Sequence, residues 1–450
     1  MREADQKISR SAFFVTGDRR FVMKKTLFFI LITNLLVGGG IVHNTNQSAD
    51  FIRTLNRNAT NQVDAVYFNP SGLTSLENGY YLYLSNQTIW QTRTITATYP
   101  AYNSDTFEGK TFVPVFPNIY VVKKQNNLAF SLGLMPIGGG GSAEFQKGLP
   151  SFDKELAKYV YFSDQLKGYM MKSSFVGSSV YLGFQGNVSY KFNDMISTGI
   201  GIRMIKAKNT YEGYLKNASL ITVTDSVLTN ANYPLLPPDI NVDSERNGVA
   251  FTPIFNVGLR LFDMLYFTTR YEPRTTLKML SDTKEDGTIV LDGVGMFPDD
   301  STYRADIPGQ LAFGLNIDLS DRIQLSSSYN YYLYEDSKLN WDGKEKYVQN
   351  GYELGVGIEY GFNENLNISF GFLHAISGAQ PSYQEDVSYS LNSNTLGTGF
   401  QYRINPNTFL SIGFSNTIYA QATNNFKGTI FEERYDKTAL DIAVGLQRSF

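Results

Sequence analysis

From about residue 80 onward, apolar residues recur at every second position, the period at which an extended chain sends alternate side chains to opposite faces. The clearest case sets Tyr352, Leu354, Val356, Ile358, Tyr360 and Phe362 against Glu353, Gly355, Gly357, Glu359 and Gly361. The same alternation sets Leu311, Phe313, Leu315 and Ile317 against Ala312, Gly314, Asn316 and Asp318, and Leu440, Ile442, Val444 and Leu446 against Asp441, Ala443, Gly445 and Gln447. Each segment reads as a β-strand with one apolar face and one face of small residues, amides and carboxylates.

A soluble β-sandwich also alternates, so the connections decide between the two. Short polar turns stand at 124–127, 193–194, 263, 320–321, 363–365 and 405–407. Long polar stretches lie near 99–110, 138–174, 212–246, 277–308, 338–348, 377–388 and 422–436, so short and long connections take turns along the chain. That rhythm is expected of an outer-membrane barrel, with its short periplasmic turns and longer extracellular loops. Six turns and seven loops predict an all-β fold, a transmembrane antiparallel β-barrel of about fourteen strands over residues 79–450. The first two strands, around 80–98 and 111–123, are the least regular.

Composition narrows the picture. The chain is 42% hydrophobic, with Tyr 30 and Phe 32 against Trp 2 and a mean hydropathy of −0.22, a profile of strands rather than membrane helices. A spanning helix needs about 20 apolar residues in a row, and the nearest approach, 27–37, is interrupted by Thr33 and Asn34. That run follows Met23-Lys24-Lys25 and reads as a signal peptide over 23–37, which makes Met23 the expected start and 1–22 an extension outside the fold. Cysteine is absent, which excludes disulfides and thiolate chemistry. A net charge of −3 offers no basic stripe for phosphates, so nucleic acid is not an expected partner.

Tyrosines gather near expected strand ends, as at Tyr80, Tyr81 and Tyr83 or Tyr329, Tyr331, Tyr332 and Tyr334, where an aromatic girdle would sit; ordinary strand propensity is the other explanation. The last strand ends in Phe450, an aromatic terminus of the kind that outer-membrane assembly machinery recognises. Residues 38–78 carry no strand pattern. They hold enough apolar residues for burial, among them Phe51, Ile52, Leu55, Val66, Phe68 and Leu73, and strong turn chemistry at Asn69-Pro70-Ser71-Gly72, and are expected to fill the lumen as a plug.

The run Asp64-Ala65-Val66-Tyr67-Phe68-Asn69-Pro70-Ser71-Gly72-Leu73 resembles the Asn-Pro-Ala-type motif in the hatch of the FadL and TodX family of hydrophobic-compound transporters, with Ser71 where that family usually has Ala. The resemblance extends to the architecture, a fourteen-stranded barrel with an N-terminal hatch. It implies passive, hatch-gated transport of a hydrophobic small molecule, a long-chain fatty acid or an aromatic hydrocarbon, by a monomer set in outer-membrane lipid. It also implies a gating role for Asp64, Asn69, Pro70, Ser71 and Gly72, and a sideways exit beside a kinked third strand. Here that strand begins at Leu128, alternates through Phe130, Leu132 and Leu134, and meets Pro136, Gly138 and Gly139, where a bend or simply the start of a flexible loop is expected. In the following loop Phe152, Leu156, Tyr159 and Val160 share one helical face, a first contact for ligand or a packing face against a neighbouring loop.

Strand parity turns Lys191, Arg203, Arg260, Arg270, Glu272, Asp318, Glu353, Glu359, Arg403 and Asp441 inward, since a charge facing lipid at mid-membrane costs several kcal/mol. They are expected to form a polar mesh that holds the plug through Arg53, Arg57 and Asp64. Catalysis finds little support: there are two histidines, His43 and His374, and no HExxH, GxSxG or P-loop pattern. The acidic pairs Asp299-Asp300 and Glu385-Asp386 lack the spacing of a calcium loop, so no metal and no cofactor is expected. A diffusion porin for polar solutes and an adhesive or structural surface barrel are the remaining readings.

Overall fold

Alternation decides which residues face out, and the turns decide where each strand stops. The computed structural model describes residues 47–99, 101–233, 236–262, 264–287, 297–338, 344–386, 389–425 and 431–450. The expected extension at 1–22, the signal peptide at 23–37, the start of the plug and His43 lie outside them. Fourteen antiparallel strands form the barrel: β1 Gly79–Ala97, β2 Thr106–Gln125, β3 Leu128–Phe145, β4 Leu166–Lys191, β5 Ile196–Thr222, β6 Ile240–Leu261, β7 Leu265–Glu272, β8 Gly309–Ser320, β9 Ile323–Leu333, β10 Gly351–Gly361, β11 Leu366–Ile376, β12 Ser393–Asn405, β13 Thr408–Tyr419 and β14 Glu432–Ser449. Pairing of β1 with β14, from Tyr81 opposite Ser449 to Ala97 opposite Glu433, closes the ring and removes free edges.

The outward residues are the apolar set expected from the pattern, including Leu354, Val356, Ile358 and Tyr360 on β10 and Leu440, Val444 and Leu446 on β14, all exposed. No helix among the described residues is long and apolar enough to cross a membrane. At two of the short turns an asparagine side chain caps the hairpin: Asn193 Oδ1 accepts from the backbone of Met195 and Ile196, and Asn363 Oδ1 from Asn365 and Leu366, at 2.8–2.9 Å.

Two expectations need correction. Much of 138–174 and 212–246 is strand, because β3 to β6 run on past the apolar belt, where neither face touches lipid and the alternation fades into polar sequence. Within 277–308, Lys278–Asp286 pairs with β6 and Thr302–Arg304 pairs with that segment in turn. The tyrosine clusters are also not a single girdle. Tyr80 is exposed, whereas Tyr81, Tyr83, Tyr332 and Tyr334 are buried inside, as period-two geometry requires of neighbours with opposite parity.

Candidate functional site

Residues 47–76 lie inside the barrel, and Glu77 and Asn78 lead out to β1. Ser48 caps the short helix α1, Ala49–Thr54, by accepting from Phe51 N at 3.1 Å, and Leu55 ends it in a left-handed conformation. A second short helix, α2, spans Ala65–Phe68, and a 3-10 turn follows at Pro70–Ser75. The wall comes close enough that side chains on it are excluded at some positions. A Cβ added to Gly371 would lie 2.2 Å from the Thr54 carbonyl oxygen, and one on Gly355 would lie 2.4 Å from that of Leu55. The glycines that alternate with apolar residues on the strands therefore make room for the enclosed backbone.

Polar contacts join this segment to most of the ring. Arg53 is fully buried and bonds to Asp50 at 2.8 Å, to Ser369 at 2.7 Å and to Glu359. Arg57 grips Asp64 with two bonds of 2.7 and 2.6 Å. Asn69 donates to the Thr60 carbonyl at 2.8 Å, Ser71 Oγ donates to Asn69 Oδ1 at 2.9 Å, and Ser71 N donates to Asn256 on β6 at 2.6 Å. Gly72 packs against the Thr60 carbonyl, which an added Cβ would approach to 2.3 Å. Four of the five motif residues thus belong to one hydrogen-bonded turn, with Pro70 offering its carbonyl to Ser189 on β4 at 2.7 Å.

Opposite the motif, Arg203 forms a fork with Glu272 at 2.7 and 3.0 Å, and Arg270 lies 3.4 Å from the same carboxylate. Both guanidinium groups lie over the ring of Tyr67, at 4.6 and 5.0 Å from its centroid, and Arg270 also donates to the Tyr67 carbonyl. Glu353 accepts from Tyr332 at 2.7 Å and from Asn330 at 3.2 Å, and Asp441 from Gln87 at 2.9 Å and Ser415 at 3.0 Å.

Arg260, Arg403, Lys191 and Asp318 do not join this mesh: Arg260 stacks on Tyr266, Arg403 on Phe409, Lys191 pairs with Asp194 and Asp318 accepts from Gln324. All four sit near the short-turn end, below the plug, where parity alone could not separate them from the rest. Sequence reading missed Gln185 and Asn187, which both donate to the Val66 carbonyl, because neutral amides at inward positions carry no charge signal.

Above the plug one stretch of the inner wall is apolar. Met135, Ile137, Tyr181, Ile205, Ala250, Leu277 and Met279 are buried and continuous with Val66, Tyr67 and Phe68. The wall itself is interrupted here. β2 pairs with β3 at 109–110 and again from 119 to 125, while 111–118 and 135–143 share no ladder pairing. On the other side β3 stays attached to β4 through register shifts at Pro136/Gly138 and Gly138/Gly141. Gly139 has φ +96, and a Cβ there would lie 2.2 Å from the Ser179 carbonyl.

Pro114 and Pro117 of β2 lack the N–H that a central strand needs, a signal the sequence reading passed over. On the β1 side Asn86 and Thr88 donate to the Pro114 carbonyl at 3.1 and 3.0 Å, so β2 stays bound to β1 and free of β3.

In the loop after β3, the helix α3, Pro150–Tyr161, turns its apolar face to other loops. Leu156 is fully buried with Tyr169, Leu215 and Leu236, Phe152 meets Phe175 edge-on at 6.1 Å, and Tyr159 and Val160 pack beside them. Leu156 is thus not at the surface, and the exposed aromatics of this loop are Tyr161 and Phe162. Burial pushes the Asp153 carboxyl up to about 6 despite its hydrogen bond with Tyr169.

No protein-family profile matches the sequence, and no curated protein matches it. Solved structures do match. A Pseudomonas aeruginosa FadL homologue aligns at 13% identity and TM-score 0.66, covering 92% of this chain and 100% of its own. The P. putida toluene transporter TodX aligns at 13% and 0.58, covering 86% and 94%. The Ralstonia pickettii toluene transporter TbuX aligns at 14% and 0.55, covering 86% and 94%. At such identities the likeness is one of fold, and in fold this chain is a closed fourteen-stranded barrel of the FadL and TodX type.

Proposed function

We propose that this chain carries hydrophobic small molecules, long-chain fatty acids foremost, passively across the bacterial outer membrane. The observation that carries this reading is the combination of a lumen filled by residues 47–76 with a wall left unpaired between β2 and β3 just above the filling. A polar solute needs a continuous wet path, which the buried mesh around Arg53 and Arg203 blocks. A greasy solute can instead use the apolar stretch of the inner wall above the plug and leave through the seam into lipid. The FadL homologue and the toluene transporters share the fold, which favours the same class of cargo.

In this reading the turn at Asn69, Pro70, Ser71 and Gly72, tied to Asp64 through Thr60 and Arg57, is the gating part of the plug. Residues 47–78 act as the hatch, and the barrel works as a monomer. The test is uptake into cells lacking their own transporter, comparing labelled oleate with a labelled small sugar, for the intact protein and for Asn69→Ala with Pro70→Ala. Selective oleate entry whose rate changes in the variant supports the reading. Entry of sugar without oleate, or of neither, overturns it.

A further inference from the structure

The lumen has a second polar region, above the mesh and separate from it. On β1 the odd-numbered residues face inward, and the β1–β14 register sets Arg93 directly opposite Lys437. The β1–β2 register sets Gln91 opposite Thr111, the first residue of the unpaired stretch of β2. Four polar groups from three strands therefore share one patch at the upper edge of the seam.

The charge balance of this patch is unlike that of the mesh. Arg53, Arg57, Arg203 and Arg270 each have a carboxylate within 3.4 Å. Arg93 and Lys437 make no ion pair among the described residues, and like charges placed opposite each other on antiparallel strands repel. Of the acids on the same inner face, Glu433 is bonded to the Tyr435 hydroxyl, and Asp441 attracts Lys437 from a distance while its oxygens accept from Gln87 and Ser415, so one carboxylate beyond contact range faces two cations. Arg93 lies over the Tyr389 ring at 5.7 Å and Lys437 over the Tyr419 ring at 4.6 Å, contacts that position both cations without bringing a carboxylate into contact with either.

The polar atoms beside them are also unsatisfied. Gln91 is 8% and Thr111 4% exposed, and Gln91 Nε2, Arg93 Nε and Thr111 Oγ1 are buried without a hydrogen-bond partner among the described residues. Buried polar groups are almost always bonded, so three orphans in one patch mark a site built for something else. The set is donor-rich: guanidinium, ammonium, amide N–H and hydroxyl. It calls for acceptor oxygens with negative charge. Ile95 and Phe107 are buried close by on the same strands, so the anion should come with an apolar body.

We infer that Gln91, Arg93, Thr111 and Lys437 form a subsite for the carboxylate headgroup of an amphiphilic ligand, held at the upper edge of the β2–β3 seam with its tail along the apolar wall. This rests on the transport reading for the ligand's route but not for its binding. The subsite sorts carboxylate amphiphiles from neutral hydrocarbons of the same length.

The test is calorimetric binding of laurate and of methyl laurate to the full barrel in an uncharged maltoside detergent, with the shift of the folded barrel in unheated gels as the control for folding. The intact protein should bind laurate about tenfold or more tightly than methyl laurate. Arg93→Gln and Lys437→Met should each remove most of that preference and leave methyl laurate unchanged, while Arg93→Lys keeps it. Equal affinity for the two probes, or a parallel loss of both in the variants, overturns the subsite. Selective laurate binding without laurate uptake by cells leaves the subsite standing and removes the transport reading.

Discussion

The wall from β10 to β12 and the wall at β2 and β3 are built from the same antiparallel hairpins, yet they differ in continuity. From β10 through β11 into β12 every residue has a partner in register, from Tyr352 opposite Ile376 to Leu366 opposite Tyr402. Between β2 and β3 the ladder stops for residues 111–118. The first wall alternates apolar residues with glycines, and its inner face receives the plug backbone at Gly355 and Gly371. The second carries Pro114, Pro117 and Pro136 and the glycine run after it, which remove donors and permit bulges. One wall is continuous and the other interrupted, and the difference is written in where proline replaces alternation.

The largest effect should come from the continuous wall. Arg53→Ala leaves Glu359 and Asp50 buried without their cation, and a loss of about 3–5 kcal/mol is expected, read as a lower midpoint in denaturant unfolding of the detergent-solubilised barrel. Restoring a charge by Arg53→Lys should recover only part, because the fork to Glu359, Ser369 and Asp50 needs a guanidinium. Gly371→Val acts more locally. Its side chain would occupy the position of the Thr54 carbonyl, displace α1 and raise single-channel conductance in planar bilayers above that of the intact protein, while the same change at an outward position such as Phe370 should not.

The smallest effect concerns the loop beside the interrupted wall. The Asp153 carboxyl is raised to about 6 from roughly 3.9 in an unfolded chain. The folded loop therefore holds its proton more tightly. The stability so gained is full below about pH 4 and is lost as the pH rises through about 6. Hydrogen exchange across residues 150–161, corrected for intrinsic rate, should be faster at pH 7.5 than at pH 4.5, and Asp153→Asn should flatten that dependence.

Most of the fold was legible in the sequence. The short turns and the outward residues of β8, β10 and β14 follow from alternation and turn chemistry, which are local. The loops were less legible, since strand extended past the membrane belt loses its apolar marker, as in β5. Within the lumen, charge located Arg203, Arg270, Glu353, Glu359 and Asp441 on the inner face. It could not tell them from Arg260 and Arg403, because parity fixes the face but not the depth. The pairing of Arg93 with Lys437 needs the register of two strands more than 300 positions apart, and no local pattern encodes it.

The most direct test of the account pins the seam. Val113 and Gly141 face each other across it, with a Cβ built on Gly141 3.9 Å from that of Val113, close to the mean spacing in a disulfide. The native chain has no cysteine, so Val113→Cys with Gly141→Cys gives one defined bond. With the bond formed, oleate uptake should fall to background, and reduction should restore it. Uptake that continues unchanged with the bond intact would contradict a route through the β2–β3 wall.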